Sequence, residues 1–95
     1  MRKYETMYVL RADLEAEKTQ EIIQRYNDVI TNHQGEIEEV KDWGKRRLAY
    51  EIEGNREGHY VLVHYSAPTD VSKELERLFR ISDEVIRYLT TRVEE

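Results

Sequence analysis

The pattern of apolar and polar positions predicts a strand and then a helix over the first third of the chain. Residues 2–10 alternate with a period of two, which is typical of a strand. The two faces of this strand carry, in turn, Tyr4, Thr6, Tyr8 and Leu10, and Lys3, Glu5, Met7 and Val9. We expect Asp13 to cap the following helix, which reaches about His33, and Gly35 to adopt a left-handed conformation after it. The helical stripe is Ile22, Ile23, Tyr26, Val29 and Ile30.

The middle of the chain is predicted to be a long hairpin. Residues 36–53 are extended, but the alternation slips between Ile37 and Val40, so we expect a bulge within residues 40–44. Residues 53–58 contain two glycines that bracket polar side chains, which is typical of a hairpin loop of the longer kind.

Three further elements complete the pattern. Residues 59–67 alternate as a third strand, which Pro68 ends. Thr69 or Asp70 is suited to cap a second helix, and residues 85–93 alternate as a fourth strand. The apolar stripe of the second helix is Val71, Leu75, Leu78 and Phe79.

Two successive strand–helix–strand units predict an α+β fold of the ferredoxin-like, split βαβ type (βαββαβ). This arrangement is a four-stranded antiparallel sheet with both helices on one face. Two right-handed crossovers that interleave give the strand order 4-1-3-2. With 95 residues, we expect a single domain over residues 1–95.

The helices of such a fold cover one face of the sheet and leave the other open. The open face would carry apolar side chains and is therefore a candidate contact surface for a partner. The alternative interpretation is a sheet face with tolerated exposed hydrophobic residues. The side chains concerned are Met7, Val9, Tyr60, Leu62 and His64.

Composition excludes several classes of protein. Hydrophobic residues make up 39% and charged residues 37%, and no apolar run approaches the ~20 residues of a membrane span. The N-terminus has no apolar core of a signal peptide. The absence of cysteine rules out disulfides and thiolate metal sites, and it agrees with a reducing cytoplasm. We expect no cofactor, no membrane and no small-molecule substrate.

Positive charge is concentrated in one segment of an acidic chain. The net charge is -5, but residues 41–50 hold four Lys/Arg against one Asp/Glu, a net of +3. Each flanking part, residues 1–40 and residues 51–95, has a net of -4. A chain of this kind can bind RNA through a local cationic patch, with a more basic partner beside it.

The cationic segment contains the octet Trp-Gly-Lys-Arg-Arg-Leu-Ala-Tyr at residues 43–50. Lys45, Arg46 and Arg47 stand at the start of an alternating stretch, so their side chains leave on both faces of the sheet. A short basic cluster on a strand is either a solvated, edge-protecting feature or a nucleic-acid site. The residues by themselves leave both interpretations open.

Catalysis finds no support among the motifs. The three histidines form no HExxH pair, and no phosphate-binding glycine loop or nucleophile elbow is present. Acyl-phosphate hydrolases of this topology need a phosphate-binding loop after the first strand, where this chain has Arg11-Ala12-Asp13. An RRM-like RNA reader shares the topology, but its third-strand aromatic pattern is only faintly echoed by Glu57-Gly58-His59-Tyr60-Val61.

The octet resembles the signature of the bacterial ribosomal protein bS6 family, and the similarity covers roughly residues 1–93. Further matching stretches occur in the same order and spacing, namely Met1-Arg2-Lys3-Tyr4-Glu5, Arg56-Glu57-Gly58 with Tyr60-Val61-Leu62, and Arg80-Ile81-Ser82-Asp83 with Arg87-Tyr88-Leu89. The resemblance implies a structural protein of the small ribosomal subunit, located on the cytoplasmic ribosome. It also implies binding to the central domain of 16S rRNA together with protein bS18.

The resemblance carries two sets of residues onto this chain. Candidate rRNA contacts, to phosphate rather than to base edges, are Arg2, Lys45, Arg46, Arg47, Arg80 and Arg87. Candidate contacts to bS18 on the open face and the edge at residues 36–53 are Met7, Val9, Trp43, Tyr60 and Leu62. Arg2 and Arg87 lie on strands that the expected order makes neighbours. The alternative function is an interaction module that dimerises through its open sheet.

Some members of that family have a long acidic C-terminal tail that can receive added glutamates. This sequence reads Val93-Glu94-Glu95 at its end. The resemblance therefore carries no prediction of that modification.

Overall fold

Two helices and four strands follow one another in the computed structural model, which describes residues 1–93. Glu94 and Glu95, on which the question of tail modification falls, lie outside the described residues. The elements are β1 (Arg2–Arg11), α1 (Ala16–Asn32), β2 (Glu36–Ile52), β3 (Asn55–Ala67), α2 (Thr69–Ile81) and β4 (Val85–Arg92).

The strands form one antiparallel sheet in the order β2-β3-β1-β4. This is the expected order 4-1-3-2 read from the opposite edge, so the ferredoxin-like fold is confirmed. In the central strand β1, Tyr8 pairs with Val61 of β3 and with Tyr88 of β4. Strands β1 and β3 are therefore central, and β2 and β4 are the edges.

The core lies between the sheet and the two helices, as the periodicity predicted. Tyr8, Tyr26 and Phe79 are nearly inaccessible to solvent, and their ring centroids lie 4.8–5.3 Å apart. Edge-to-face and tilted arrangements at such distances add to the stability that burial provides. The buried apolar cluster also includes the expected stripes, with Tyr4, Leu10, Ile22, Ile23, Ile30, Val61, Val63, Val71 and Leu75.

Both helices begin without the side-chain caps that the sequence suggested. The first has Glu15 at its N-cap position with no side-chain hydrogen bond, and Asp13 instead accepts two hydrogen bonds from Arg11. These bonds lower the pKa of Asp13. The second helix has Pro68 at its N-cap position, so neither Thr69 nor Asp70 caps it. Pro68 has the extended backbone conformation that an N-cap needs, with φ of -60° and ψ of 153°.

The turn after α1 uses its glycine differently from the expectation. Gln34, not Gly35, adopts the left-handed conformation, with φ of 70°. Gly35 is required for space, because a Cβ there would lie 2.6 Å from Cγ2 of Ile30. The N–H of Gly35 donates to the carbonyl oxygen of Ile30 at 2.8 Å, which closes the end of the helix.

The hairpin between β2 and β3 is tighter than predicted. Ile52 pairs with Asn55, so the turn contains only Glu53 and Gly54. Both turn residues have positive φ, 48° and 83°, as in the type I′ turns that match the twist of paired strands. The prediction of a longer loop was wrong, and β3 begins at Asn55, four residues before the predicted residue 59. The expected bulge is confirmed, because the register shifts between Asp42 and Gly44.

Candidate RNA and partner surface

The end of the β2–β3 hairpin extends beyond the rest of the sheet. The last pair between β1 and β3 joins Arg11 to Gly58, so residues 47–57, which we call the arm, have no third strand beside them. The arm bends towards the open face, because the hydroxyl of Tyr50 accepts a hydrogen bond from Nη1 of Arg87 on β4 at 3.2 Å. Leu48 in the arm is only 7% exposed although it lies on an edge strand.

The predicted cationic cluster lies at the base of this arm. Cross-strand pairing joins Arg46 to Gly58, and paired residues share a face, so Arg46 is on the open face. Its neighbours Lys45 and Arg47 leave on the helix side, as expected from the alternation. All three side chains are exposed, and within residues 1–93 none of them forms an ion pair. In contrast, Arg77 on α2 is held by Glu74 at 2.6 Å.

An exposed tryptophan accompanies these cations. Trp43 occupies the bulge of β2 and is 44% exposed, next to Gly44 with φ of 73°. The guanidinium carbon of Arg46 lies 6.0 Å from the centroid of the Trp43 ring, at the outer limit of a cation–π contact. Trp43, Arg46 and Tyr60 line an open cleft at this position, together with Arg47 from the other face of the edge strand. The cleft therefore combines an aromatic face with unpaired positive charge.

The bulge is fixed by the carboxylate of Asp42, which accepts three hydrogen bonds. Gln20 of α1 donates to Oδ2 at 3.1 Å, while Nε2 of His59 and the N–H of Gly44 contact Oδ1 at 2.6 and 3.0 Å. An ionised carboxylate only accepts, so Nε2 of His59 carries the hydrogen. Burial alone would raise the pKa of Asp42, but the hydrogen bonds outweigh it and lower that pKa.

Of the three candidate cations outside the cluster, only Arg87 joins the arm. It is exposed on the open face, where it pairs with Val9 and contacts Tyr50. Arg2 pairs with Ala67 at the opposite end of the sheet and on the helix side. Arg80 is exposed in the last turn of α2, again on the helix side of the molecule. The strands of Arg2 and Arg87 are neighbours as expected, but their side chains are far apart.

The open face is less exposed than the sequence indicated. Val9 is 0% exposed and therefore has no surface with which to contact a partner, and Leu62 is only 7% exposed. Val9 pairs with Tyr60, and its side chain occupies the space beside Gly58, where a Cβ would overlap it. Met7 and Tyr60 are half-buried. Leu89, which pairs with Met7 and is 58% exposed, was missed, although the alternation of the fourth strand placed it on this face.

The charged side chains of the open face differ between its two ends. Arg46 and Arg87 lie near the arm, whereas Glu5 and Glu39 lie towards the other end, on either side of His64. Nε2 of His64 is 3.6 Å from Oε2 of Glu5. Nζ of Lys41, which pairs with Leu62 on this face, is 3.6 Å from Oε1 of Glu39. The end near the arm is therefore cationic, whereas the other end carries charges of both signs beside apolar side chains.

Two other kinds of site find no support in the described part of the chain. Residues 1–93 contain no group of three or more His, Cys, Asp or Glu side chains that could hold a metal ion. No helix among these residues is long and apolar enough to cross a membrane.

Fold and surface together define a small ferredoxin-like α+β protein with an exposed cationic hairpin. The family model described as Ribosomal protein S6 matches residues 3–92. The chain is 50% identical to small ribosomal subunit protein bS6 of Moorella thermoacetica over 95 residues, covering 100% of this chain and 97% of the relative. It is 53% identical to bS6 of Halalkalibacterium halodurans over 95 residues, covering 100% of both chains.

Comparison with solved structures points to the same family. A crystal structure of 30S ribosomal protein S6 from Thermotoga maritima is similar with a TM-score of 0.92 and 30% identity, covering 97% of this chain and 87% of that chain. The chain therefore belongs to the ribosomal protein S6 family. It is a protein of the small ribosomal subunit and not an enzyme, and its place is the ribosome.

Proposed function

We propose that the chain binds the central domain of 16S rRNA together with protein bS18. The observation that supports this most directly is the exposed positive charge at the base of the arm. Lys45, Arg46 and Arg47 are exposed without an ion pair in residues 1–93, and Arg87 lies beside the arm on the same open face as Arg46. Exposed cations that are not held in an ion pair are available for phosphate, and phosphate contacts dominate the affinity for RNA.

The contacts are to phosphate and to RNA shape rather than to base edges. A double-stranded RNA helix has a deep, narrow major groove that side chains cannot read, so proteins contact its backbone and its unpaired bases. Two exposed aromatic rings add surfaces on which an unpaired base can stack, those of Trp43 and of Tyr50, which is 62% exposed.

Salt dependence tests the phosphate contacts. Removing two contacts in the double variant Arg46→Ala/Arg47→Ala should reduce the slope of log K against log salt by about 1.4–1.8, because each phosphate contact contributes about 0.7–0.9. The matched control is Arg77→Ala, which removes a cation that is held by Glu74 on α2. We expect that control to keep the wild-type slope. Equal slopes for the double variant and the wild type would reject the proposed RNA surface.

The partner surface is the part of the open face away from the arm. Leu89 is exposed, and it stands in one cross-strand row with Met7 and Leu62. Glu5 and Glu39 lie beside this row, and Lys41 at its end forms an ion pair with Glu39, so Glu5 is the acid that suits a basic partner with an apolar side chain. Such a partner covers the apolar row and opposes the net charge of -5 that repels RNA.

RNA binding should therefore be strongly cooperative with bS18. With three or four phosphate contacts, the electrostatic gain of the chain alone is small at physiological salt. A titration of central-domain RNA with this chain alone, with bS18 alone and with both should show tight binding only for the pair. Comparable affinity of this chain with and without bS18 would contradict the cooperative model.

One substitution separates the partner surface from the RNA surface. Leu89→Glu should weaken the complex with bS18, because it places a charge within the apolar row. Ile81→Glu is the matched control, since Ile81 is 67% exposed but lies on α2. Sedimentation of the chain alone tests the alternative function. A homodimer that Leu89→Glu dissociates would favour the dimerising module over bS18 binding.

A further inference from the structure

Asp42 is an acid within the segment that carries the proposed RNA surface. It is the single Asp or Glu within residues 41–50, among four Lys and Arg. Its negative charge opposes phosphate, and by Coulomb's law alone its presence lowers the affinity for a polyanion. The carboxylate is nevertheless held by donors from three different parts of the chain, Gln20 on α1, His59 on β3 and Gly44 on β2.

These three hydrogen bonds fix the bulge that carries the exposed tryptophan. Trp43 lies directly between Asp42, which accepts the bonds, and Gly44, whose backbone is left-handed with φ of 73°. Arg46 follows the bulge two residues after Gly44, and its guanidinium carbon lies 6.0 Å from the centroid of the Trp43 ring. Because β2 is an edge strand, only β3 pairs with it in the described residues, and the hydrogen bonds of Asp42 tie the bulge both to β3, through His59, and to α1, through Gln20.

We propose that Asp42 is a positioning residue for RNA binding. Its carboxylate clamps the bulge to α1 and β3, and the clamp holds Trp43 and Arg46 in one orientation before RNA arrives. This inference rests on the proposed function of the arm. Its physical basis is that ordering a long side chain on binding costs free energy, and that a side chain ordered in advance avoids this cost.

The positioning role and the charge of Asp42 predict opposite changes in RNA affinity when the carboxylate is removed. If charge alone matters, Asp42→Ala should strengthen RNA binding, because one repulsive group is lost. If the clamp matters, Asp42→Ala should weaken RNA binding by at least about fivefold, because two side chains must then be ordered on binding. The control is Glu57→Gln, a neutralised exposed acid that pairs with Arg47 but forms no hydrogen bond to the bulge. We expect that control to bind RNA as well as or better than the wild type.

A double variant can restore the clamp with its polarity reversed. In Asp42→Asn, Oδ1 still accepts from Gly44 and His59, but Nδ2 now faces the amide donor of Gln20. Adding Gln20→Glu supplies an acceptor for Nδ2, and it returns the net charge of the chain to its original value. We expect Asp42→Asn to bind RNA more weakly and Asp42→Asn/Gln20→Glu to recover affinity. If RNA binding required the negative charge at residue 42 itself, the double variant would not recover affinity, because residue 42 remains neutral in it.

The tryptophan reports on the clamp without RNA. Trp43 is the only tryptophan of the chain, so time-resolved fluorescence anisotropy measures the motion of this one ring. We expect faster local motion in Asp42→Ala and in Gln20→Ala, and wild-type motion in Glu57→Gln and in the rescue variant. Gln20 is exposed, so its substitution tests the clamp in a protein that remains folded, which far-UV circular dichroism verifies.

The results separate this inference from the proposed function. Unchanged Trp43 motion in Asp42→Ala, or RNA binding that becomes tighter, would overturn the positioning role even if Arg46→Ala/Arg47→Ala weakens RNA binding. Faster Trp43 motion in Asp42→Ala with unchanged RNA affinity would overturn the positioning role and leave only the clamp. If Arg46→Ala/Arg47→Ala also left RNA affinity unchanged, the RNA surface would be overturned as well. Faster motion, weaker binding and recovery in the double variant would support both.

Discussion

Substitution of Gly58 by alanine should destabilise the protein through one contact. Gly58 is buried where three strands meet, since it pairs with Arg11 of β1 and with Arg46 of β2. A Cβ at this position would overlap Cγ1 of Val9 and would lie 3.5 Å from Cδ1 of Ile86. The residue has no left-handed backbone, so the cost comes from packing alone.

The magnitude follows from the stiffness of the neighbour. Val9 is β-branched and 0% exposed, so it cannot rotate away from the new methyl group without a clash elsewhere. Inserting a methyl group into a well-packed site costs roughly 1–3 kcal/mol. Val9→Ala removes two carbons, about 1.6 kcal/mol at about 0.8 kcal/mol each, with a further cost for the cavity.

The double variant is the decisive measurement. In Gly58→Ala/Val9→Ala the overlapping carbon is gone and the new methyl group partly fills the cavity. The double variant should therefore be more stable than the sum of the single variants predicts, by about 1 kcal/mol or more. With a urea m-value of about 1–3 kcal/mol/M, the single variant Gly58→Ala should lower the urea midpoint by roughly 0.3–3 M.

Gly54→Ala provides the matched control. Gly54 has φ of 83° and open space around it, so alanine there costs about 1–2 kcal/mol of backbone strain with no contact to Val9. Its effect should add to that of Val9→Ala within about 0.5 kcal/mol. Additive effects of Gly58→Ala and Val9→Ala would refute the packing argument, because they would show that the two sites do not share a contact.

Three further predictions concern the core, its hydroxyl groups and pH. Ile30→Ala should cost roughly 2–5 kcal/mol, since Ile30 is 1% exposed in the core cluster, and an unchanged urea midpoint would contradict this assignment. Tyr65→Phe should cost about 0.5–1.5 kcal/mol, because its hydroxyl is 2.9 Å from Oγ1 of Thr6. Tyr8→Phe should be neutral or stabilising by thermal unfolding, because the buried Tyr8 hydroxyl has no partner within residues 1–93; an equal loss in both variants would count against this. The folded-state pKa of Asp42 lies below its ordinary value of 3.8, so the stability it adds is present above that value and is lost as the pH falls through the lowered pKa. Between about pH 6 and about pH 3, the wild type should therefore lose more stability than Asp42→Asn, and equal losses in urea titrations would contradict the shift.

The fold and the strand faces could be predicted from the sequence because burial leaves a local trace. Tyr4, Tyr8 and Leu10 alternate along β1, and the stripe that includes Ile22 and Ile30 recurs at helical spacing. An amphipathic element reveals its period and its buried face without reference to any other element. The order of these elements and the handedness of crossovers then determine the strand order. The cationic segment could be found for the same reason, because charge can be counted along the chain.

The candidate site could be predicted only in part, because position along a strand leaves no such trace. A pattern with a period of two looks the same after a shift of two residues, so the alternation gives the face of a side chain but not its partner. It therefore placed Arg2 and Arg87 on neighbouring strands without showing that they lie at opposite ends. The pattern also placed Val9 on the open face but could not show that Gly58 leaves room to bury it.

The tertiary structure alone determined where the arm lies and which residues it contacts. The two-residue turn at Glu53 and Gly54 sets the register, and the bend then brings Tyr50 to Arg87 across two strands. The clamp on Asp42 joins residues that are 22 and 17 positions away along the chain, Gln20 and His59. Contacts of this kind form only after the sheet and α1 have packed, because a hydrogen bond between distant residues depends on the positions of whole elements. Local periodicity determines which elements form and which side they bury, whereas packing determines which of their polar side chains meet.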